Sequence, residues 1–88
     1  VIGANAEIHG LVSLGSDCKV GASVFIGTIR EESQMPGRIF LKNGVHVGAG
    51  TIIENASNKD LIIPEKTQIP ARSYVVNGGD GNPVVVGG

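Results

Sequence analysis

The stretch that decides the fold is IGANAEIHGLVSLGSDCKVGASVFI, which runs from residue 2 to residue 26. Within it a large aliphatic side chain recurs at every sixth position, at Ile2, Ile8, Leu14, Val20 and Ile26. A fixed period this short is typical of a repeat architecture, in which each small unit stacks on its neighbours. Alternation with period two predicts ordinary strands, but it does not explain a recurrence at every sixth residue.

The same period returns twice after interruptions. It resumes at Ile39, Val45 and Thr51, and again at Ile63, Ile69 and Val75. A small or modest side chain stands four residues after most of these anchors, and glycine directly follows several of them, at Gly3, Gly15, Gly21 and Gly27. We predict that the anchors point into a core and that the glycines supply unusual backbone angles.

This pattern, roughly [LIV]-G-x-x-[small]-x, resembles the hexapeptide repeat of left-handed parallel β-helices. The resemblance covers nearly the whole chain. It implies an all-β fold, a single-stranded left-handed parallel β-helix of about three to four coils with two loop excursions. We expect the β-helix domain to occupy residues 1–76, and residues 77–88 to form a Gly-rich tail that ends in a short strand.

The resemblance also implies three six-residue units per coil, and therefore three faces. On this register the anchors of face one are Ile2, Val20, Val45 and Ile69, those of face two are Ile8, Ile26, Thr51 and Val75, and those of face three are Leu14, Ile39 and Ile63. The intervals that precede Ile39 and Ile63 exceed six residues by seven and by six, so both excursions leave after face two and stack at one corner. Alternatively, the second interval hides a degenerate unit that starts at Ser57 and has Leu61 in the small position, which shifts the later faces by one.

The composition and net charge of the chain argue against some classes of function. The chain has 88 residues and a formal net charge of −1, which argues against a broad binding surface for nucleic acid or an anionic membrane. The single cysteine, Cys18, occupies a small position of the repeat, and we interpret it as a core thiol. No apolar run reaches transmembrane length and no signal peptide is visible, so we expect a cytoplasmic protein. The chain opens with Val1 directly on a repeat, which suggests a processed product or a piece of a longer protein.

Within the hexapeptide superfamily the chain resembles the branch of gamma-class carbonic anhydrases, which includes a carboxysome assembly protein domain. In one register Arg30 with Glu31 and Glu32 matches the arginine and acidic residue that close an early rung of that family. In a second register AEIHG at 6–10 resembles the family's last histidine ligand, and IPEKTQIPARSYV at 63–75 resembles its ending. The second register explains more of the chain.

The zinc site of that family needs three histidines contributed across a subunit boundary, whereas this chain has only His9 and His46. In the second register Ala4 stands where a ligand belongs. Two histidines do not make the usual three-ligand catalytic zinc site. We therefore expect no cofactor. His9 and His46 are the candidate metal ligands if zinc binds between subunits.

Three functions compete. The first is a non-catalytic homotrimeric scaffold or assembly module that binds other proteins, with Arg30, Glu31 and Glu32 at the subunit interface; on this hypothesis the chain is not an enzyme. The second is a hexapeptide-class acyltransferase that binds acyl-CoA between subunits and uses His9 or His46 as general base. The third is a divergent gamma-class carbonic anhydrase with an intersubunit metal site. The missing metal triad favours the first.

Overall fold

A computed structural model of the chain describes residues 2–28, 37–55 and 58–87. The described residues contain strands and turns but no helix, and all strand pairs except the last are parallel. No helix long and apolar enough to cross a membrane occurs in this part of the chain. The all-β prediction is confirmed.

The strands form three sheets that the chain visits in rotation. Sheet 1 contains β3 (Lys19–Val20), β6 (His46–Val47) and β9 (Gln68–Ile69). Sheet 2 contains β1 (Glu7–His9), β4 (Phe25–Thr28), β7 (Ile52–Asn55), β10 (Ser73–Asn77) and β11 (Pro83–Gly87). Sheet 3 contains β2 (Val12–Leu14), β5 (Ile39–Leu41) and β8 (Leu61–Ile63). We call one visit to all three sheets a coil; the arrangement is compatible with a β-helix.

The predicted face register is right in the first and last stretches but wrong by two residues in between. Leu14 pairs with Leu41, Val20 with Val47 and Ile26 with Ile53, so these residues are the inward anchors. The predicted anchors Ile39, Val45 and Thr51 each lie two residues before the observed anchor on the same face. They occupy a second inward-pointing position, which Cys18 and Val24 occupy in the preceding coil. Both positions are buried, so hydrophobicity alone did not distinguish them.

Both excursions leave between sheet 2 and sheet 3, as predicted. The corrected anchors change their lengths: Ile26 and Leu41 are 15 residues apart, nine more than one unit, and Ile53 and Ile63 are 10 apart, four more. Leu61 does occupy the second inward position, beside Ile39. The later faces are not shifted, because β9 pairs with β6 and β10 pairs with β7.

The core is a column of stacked aliphatic side chains between the three sheets. Its members are 7% exposed or less: Cys18, Val20, Val24, Ile26, Ile39, Leu41, Val45, Val47, Ile53, Leu61, Ile63, Ile69 and Val75. Each fully buried aliphatic side chain contributes about 1.5–3 kcal/mol relative to an exposed one. Cys18 is a core thiol, as predicted, and its Sγ lies 3.1 Å from the carbonyl oxygen of Lys42.

The corners use backbone geometry in a way that differs from the prediction. The glycines that follow the anchors have no positive φ; a Cβ on Gly21 would lie 2.6 Å from the backbone nitrogen of Ala49 in the next coil. The left-handed conformation instead falls three residues after the anchors, at Asn5, Asp17, Ser23, Gly44, Gly50, Lys66 and Arg72. At Gly21 the missing side chain therefore allows close stacking on the next coil, and the turn is made two residues later.

Candidate functional site

The outer face of sheet 2 carries several exposed aromatic and aliphatic side chains. Because side chains alternate along a strand, the residues beside the inward anchors point outward. We call these residues the sheet-2 surface: Glu7, His9, Phe25, Ile52, Glu54, Tyr74 and Val86. Phe25, Ile52, Tyr74 and Val86 stand opposite one another on successive strands and form an apolar ladder.

His9 lies at the first strand of this surface with a carboxylate beside it. Its Nε2 is 3.4 Å from Oε2 of Glu7, and both side chains are more than half exposed. The imidazole also contacts the Phe25 ring, with ring centroids 5.4 Å apart and planes inclined by 31°. When Nε2–H donates to Glu7, Nδ1 keeps its lone pair and can accept a proton.

A glycine makes room for this arrangement. Gly27 pairs with His9 in the neighbouring strand. A Cβ at Gly27 would lie 2.8 Å from the Phe25 ring and 3.7 Å from Cβ of His9. Any side chain there would push the aromatic ring away from the imidazole. The sequence showed this glycine only as part of the repeat, not as a feature of the His9 environment.

A second polar pair crosses the same surface between β7 and β10. The Tyr74 hydroxyl donates a hydrogen bond to Oε2 of Glu54 at 2.7 Å. This bond, with smaller contributions from desolvation and from the Glu54 charge, raises the pKa of Tyr74 above its usual value of 10.0. The carboxylate of Glu54 is thereby held next to the apolar ladder.

His46, the other candidate, lies on a different sheet. It stands on the outer side of sheet 1, opposite Lys19 and Gln68 on the neighbouring strands, and is half-buried. Among residues 2–28, 37–55 and 58–87, no carboxylate contacts its ring. Within one chain the structure therefore does not bring His9 and His46 together, and in the described part of the chain only His9 has an acidic partner.

The residues present do not fit the zinc site that the carbonic anhydrase resemblance implies. The described part of the chain holds no group of three or more His, Cys, Asp or Glu side chains that could bind a metal ion. If only the described residues contribute ligands, a three-ligand site would need side chains from another subunit. The predicted interface residues Arg30, Glu31 and Glu32 lie outside the described residues.

Sequence reasoning missed a buried amide network at the corner from which the excursions leave. Asn55 is fully buried; its Nδ2 donates to the carbonyls of Arg38 and Lys59 at 3.0 and 2.9 Å, and its Oδ1 accepts from Nδ2 of Asn77 at 3.1 Å. Oδ1 of Asn77 accepts backbone N–H groups of Gly79 and Gly81. Asn55 and Asn77 each stand two residues after an inward anchor, and that equal spacing was the available signal.

The first coil leaves the end of the core open. Ile2 and Leu14 are 52% and 38% exposed, whereas Val20 and Leu41, which occupy the same inward columns, are 4% and 2% exposed. A cavity of about 380 Å³ lies there, lined by Ile2, Leu14, Gly15, Asp17, Cys18, Lys19 and Val20. This end of the molecule is apolar and accessible.

Comparison with known proteins gives one informative match. The chain is 36% identical over 69 residues to a UDP-3-O-acylglucosamine N-acyltransferase from Bradyrhizobium sp. (strain ORS 278). The match covers 78% of this chain but only 19% of the relative, so the chain spans about a fifth of that protein's length. No family model matches the chain. No solved structure matches it either. The match and the parallel sheets together support a relationship to hexapeptide-repeat proteins with a β-helical fold.

Proposed function

We propose that this chain is a left-handed hexapeptide β-helix of the acyltransferase class. In this proposal it binds a thioester acyl donor such as acyl-CoA between subunits and transfers the acyl group to an amine or hydroxyl acceptor. The match to an N-acyltransferase supports the reaction class. The single observation that carries the assignment of the base is the His9–Glu7 pair at the edge of an apolar surface.

The proposed chemistry follows from that geometry. An amine attacks a thioester only as the neutral species, and the nitrogen must lose a proton as the new C–N bond forms and the thiolate leaves. In this proposal Nδ1 of His9 takes that proton, while Glu7 accepts a hydrogen bond from Nε2–H and so orients the imidazole. The ladder of Phe25, Ile52 and Tyr74 offers apolar contact to an acyl chain lying along the sheet.

Binding and turnover test the proposal separately. Isothermal calorimetry with CoA and acetyl-CoA should show saturable heat, and no heat at about millimolar ligand would remove the donor site. In a thiol-release assay with an amino-sugar acceptor, His9→Ala should lower kcat by about 10²–10⁴-fold, as expected for loss of a general base. Glu7→Gln should lower kcat less, because the amide still accepts a hydrogen bond. Loss of activity in His46→Ala but not in His9→Ala would assign the base to sheet 1 instead.

A second candidate is a non-catalytic assembly module, and the exposed apolar ladder of the sheet-2 surface favours it. Ile52 and Tyr74 are exposed side by side, and such contiguous apolar surface is typical of protein–protein contacts. In this alternative the chain is a homotrimer whose subunits meet along the sheet-2 surface. A 9.0 kDa domain buries a smaller fraction of its surface than a larger domain does, so association would supplement its core.

Light scattering tests this alternative. A trimeric mass at micromolar concentration, together with no heat on addition of acyl-CoA, would favour the module over the enzyme. Ile52→Lys should then lower the mass to that of one chain, whereas Ser13→Lys, on the outer side of sheet 3, should not. A monomeric wild-type protein would exclude the trimeric module.

A further inference from the structure

The last strand, β11, is an open edge of sheet 2. It pairs antiparallel with β10 on one side, and no strand of the described residues pairs with its other side. Its sequence, Pro83-Val84-Val85-Val86-Gly87, contains no charged residue, and the three valines are 45%, 46% and 54% exposed. Natural proteins usually protect such edges with charges, bulges or a covering element.

The direction of the free backbone groups follows from the pairing of the hairpin. Gly78 N–H donates to the Asn82 carbonyl at 3.0 Å, so these two residues form a hydrogen-bonded pair. Hydrogen-bonded and non-hydrogen-bonded pairs alternate in an antiparallel ladder. Val84 and Val86 therefore bond to β10, opposite Val76 and Tyr74, whereas the N–H and C=O of Val85 point away from it.

We propose that β11 pairs with β11 of a second copy of this chain, antiparallel and centred on a two-fold axis at Val85. Each Val85 N–H then donates to the Val85 carbonyl of the other copy, and each Gly87 N–H donates to the Pro83 carbonyl of the other copy. Sheet 2 becomes continuous through both copies. This contact is independent of the proposed acyltransferase activity.

Pro83 is compatible with this register. Its missing N–H points to the open edge, where it breaks no bond with β10, as expected for proline in an edge strand. In the two-fold register that missing donor faces only Gly87 of the other copy. A shift by two residues in one direction would place Pro83 opposite Val85 and leave the Val85 carbonyl without a donor. A shift by two residues in the other direction would pair Val85 with Gly87 and separate Val84 of one copy from Val86 of the other, so the contacts between valine side chains distinguish that register from the proposed one.

The side chains support the same register. Val86 stands opposite Tyr74 on the outer face, and Val84 stands opposite Val76 on that face. The two-fold pairing places Val84 of one copy beside Val86 of the other. The apolar ladder of the sheet-2 surface then continues across the junction without a charged residue, and cross-strand β-branched pairs of this kind stabilise a sheet.

Two variants test the pairing through molecular mass. Val85→Pro removes only an N–H that points away from β10, so the hairpin keeps its bonds. Its mass by sedimentation equilibrium should be half that of the wild type, whether the smaller unit is one chain or a trimer. Val85→Thr keeps the N–H and a β-branched side chain, and it should retain the wild-type mass. Equal masses for Val85→Pro and wild type would overturn the proposal.

Disulfide trapping gives a second test that does not depend on the stability of the proline variant. In a Cys18→Ser background, Val85→Cys should cross-link two chains, because directly paired residues have Cα atoms about 5.5 Å apart and disulfides span about 4.4–6.8 Å. The matched Val84→Cys should not, since the two-fold places it opposite Val86. If the protein forms a series of larger assemblies but Val85→Cys does not cross-link into a dimer, β11 pairs with another strand edge. That result would also overturn the proposal.

Discussion

At the scale of single residues, Gly48 and Gly50 occupy one corner for different physical reasons. Gly48 directly follows the anchor Val47, and a Cβ there would collide with the backbone of Ala71 in the next coil. Gly50 has a φ of +73° with little around its Cα, and the equivalent corner positions hold Ser23 and Arg72. Steric stacking fixes the first glycine, whereas conformational preference alone favours the second.

Substitutions at these two glycines should therefore differ in cost. Gly48→Ala should destabilise the fold by about 1–3 kcal/mol, because the methyl group meets backbone rather than a flexible side chain. Gly50→Asn should cost less than about 1 kcal/mol, because asparagine tolerates left-handed backbone. Urea unfolding of both variants measures the difference, and the reverse order of midpoints would contradict this account of the corner.

The buried amide of Asn55 gives a second prediction at this scale. Asn55→Ala removes a donor from the carbonyls of Arg38 and Lys59, which still accept from Leu61 N–H and Asn77 Nδ2, and it removes the buried amide itself, so it should cost about 1–3 kcal/mol. Asn58→Ala, at an exposed position of the same excursion, should change stability by less than about 0.5 kcal/mol. Chemical denaturation compares them, and equal stabilities would show that the network does not support the corner.

At the scale of strands, the six-residue pattern predicted which sheet each anchor joins better than it predicted which residues pair between neighbouring strands. Ile8, Ile26 and Val75 were placed on one face and do share sheet 2. In the stretch from Ile39 to Ile53 the pairs Ile39/Leu41, Val45/Val47 and Thr51/Ile53 each offer two inward side chains. The glycine after Val47, which matches the glycine after Val20, was the signal that distinguishes them.

The candidate site was less predictable for a physical reason. The two histidines were identified from the sequence, but the contact of His9 with Phe25 depends on pairing between β1 and β4, and its contact with Glu7 depends on both side chains pointing outward from β1. Such contacts join outward positions, which the six-residue period does not constrain. The Tyr74–Glu54 hydrogen bond was not predicted from the sequence for the same reason.

The hydrogen bond from Tyr74 to Glu54 gives a prediction about the adjacent strands β7 and β10. The neutral phenol donates to Glu54, so the folded-state pKa of Tyr74 is raised; its stabilising contribution is fully present below pH 10.0 and is lost as pH rises through the folded pKa. Tyr74 is the sole tyrosine and the chain has no tryptophan, so ultraviolet absorbance follows this group alone. Glu54→Ala removes the acceptor and should move the titration midpoint down toward 10.0, whereas Glu65→Ala should not. An unchanged midpoint in Glu54→Ala would exclude the bond in solution.

At the scale of the whole molecule, stability should fall from the middle coils toward the open first coil. Repeat folds gain their stability from contacts between neighbouring units, so a terminal coil has a neighbour on one side only. Ile2 and Leu14 show this in their exposure, and the cavity beneath them is the uncovered end of the core.

Leu14 and Leu41 test that gradient with identical chemistry. They are the same residue type, they are paired directly on sheet 3, and they differ mainly in burial, at 38% and 2% exposed. Leu41→Ala should cost about 2–5 kcal/mol, as for a buried leucine in a core that cannot collapse around the cavity. Leu14→Ala should cost clearly less, because much of its surface is already in water. Urea unfolding at several protein concentrations measures both. Equal costs that grow with protein concentration would mean that another copy covers the first coil in solution, and would contradict the exposed end described above.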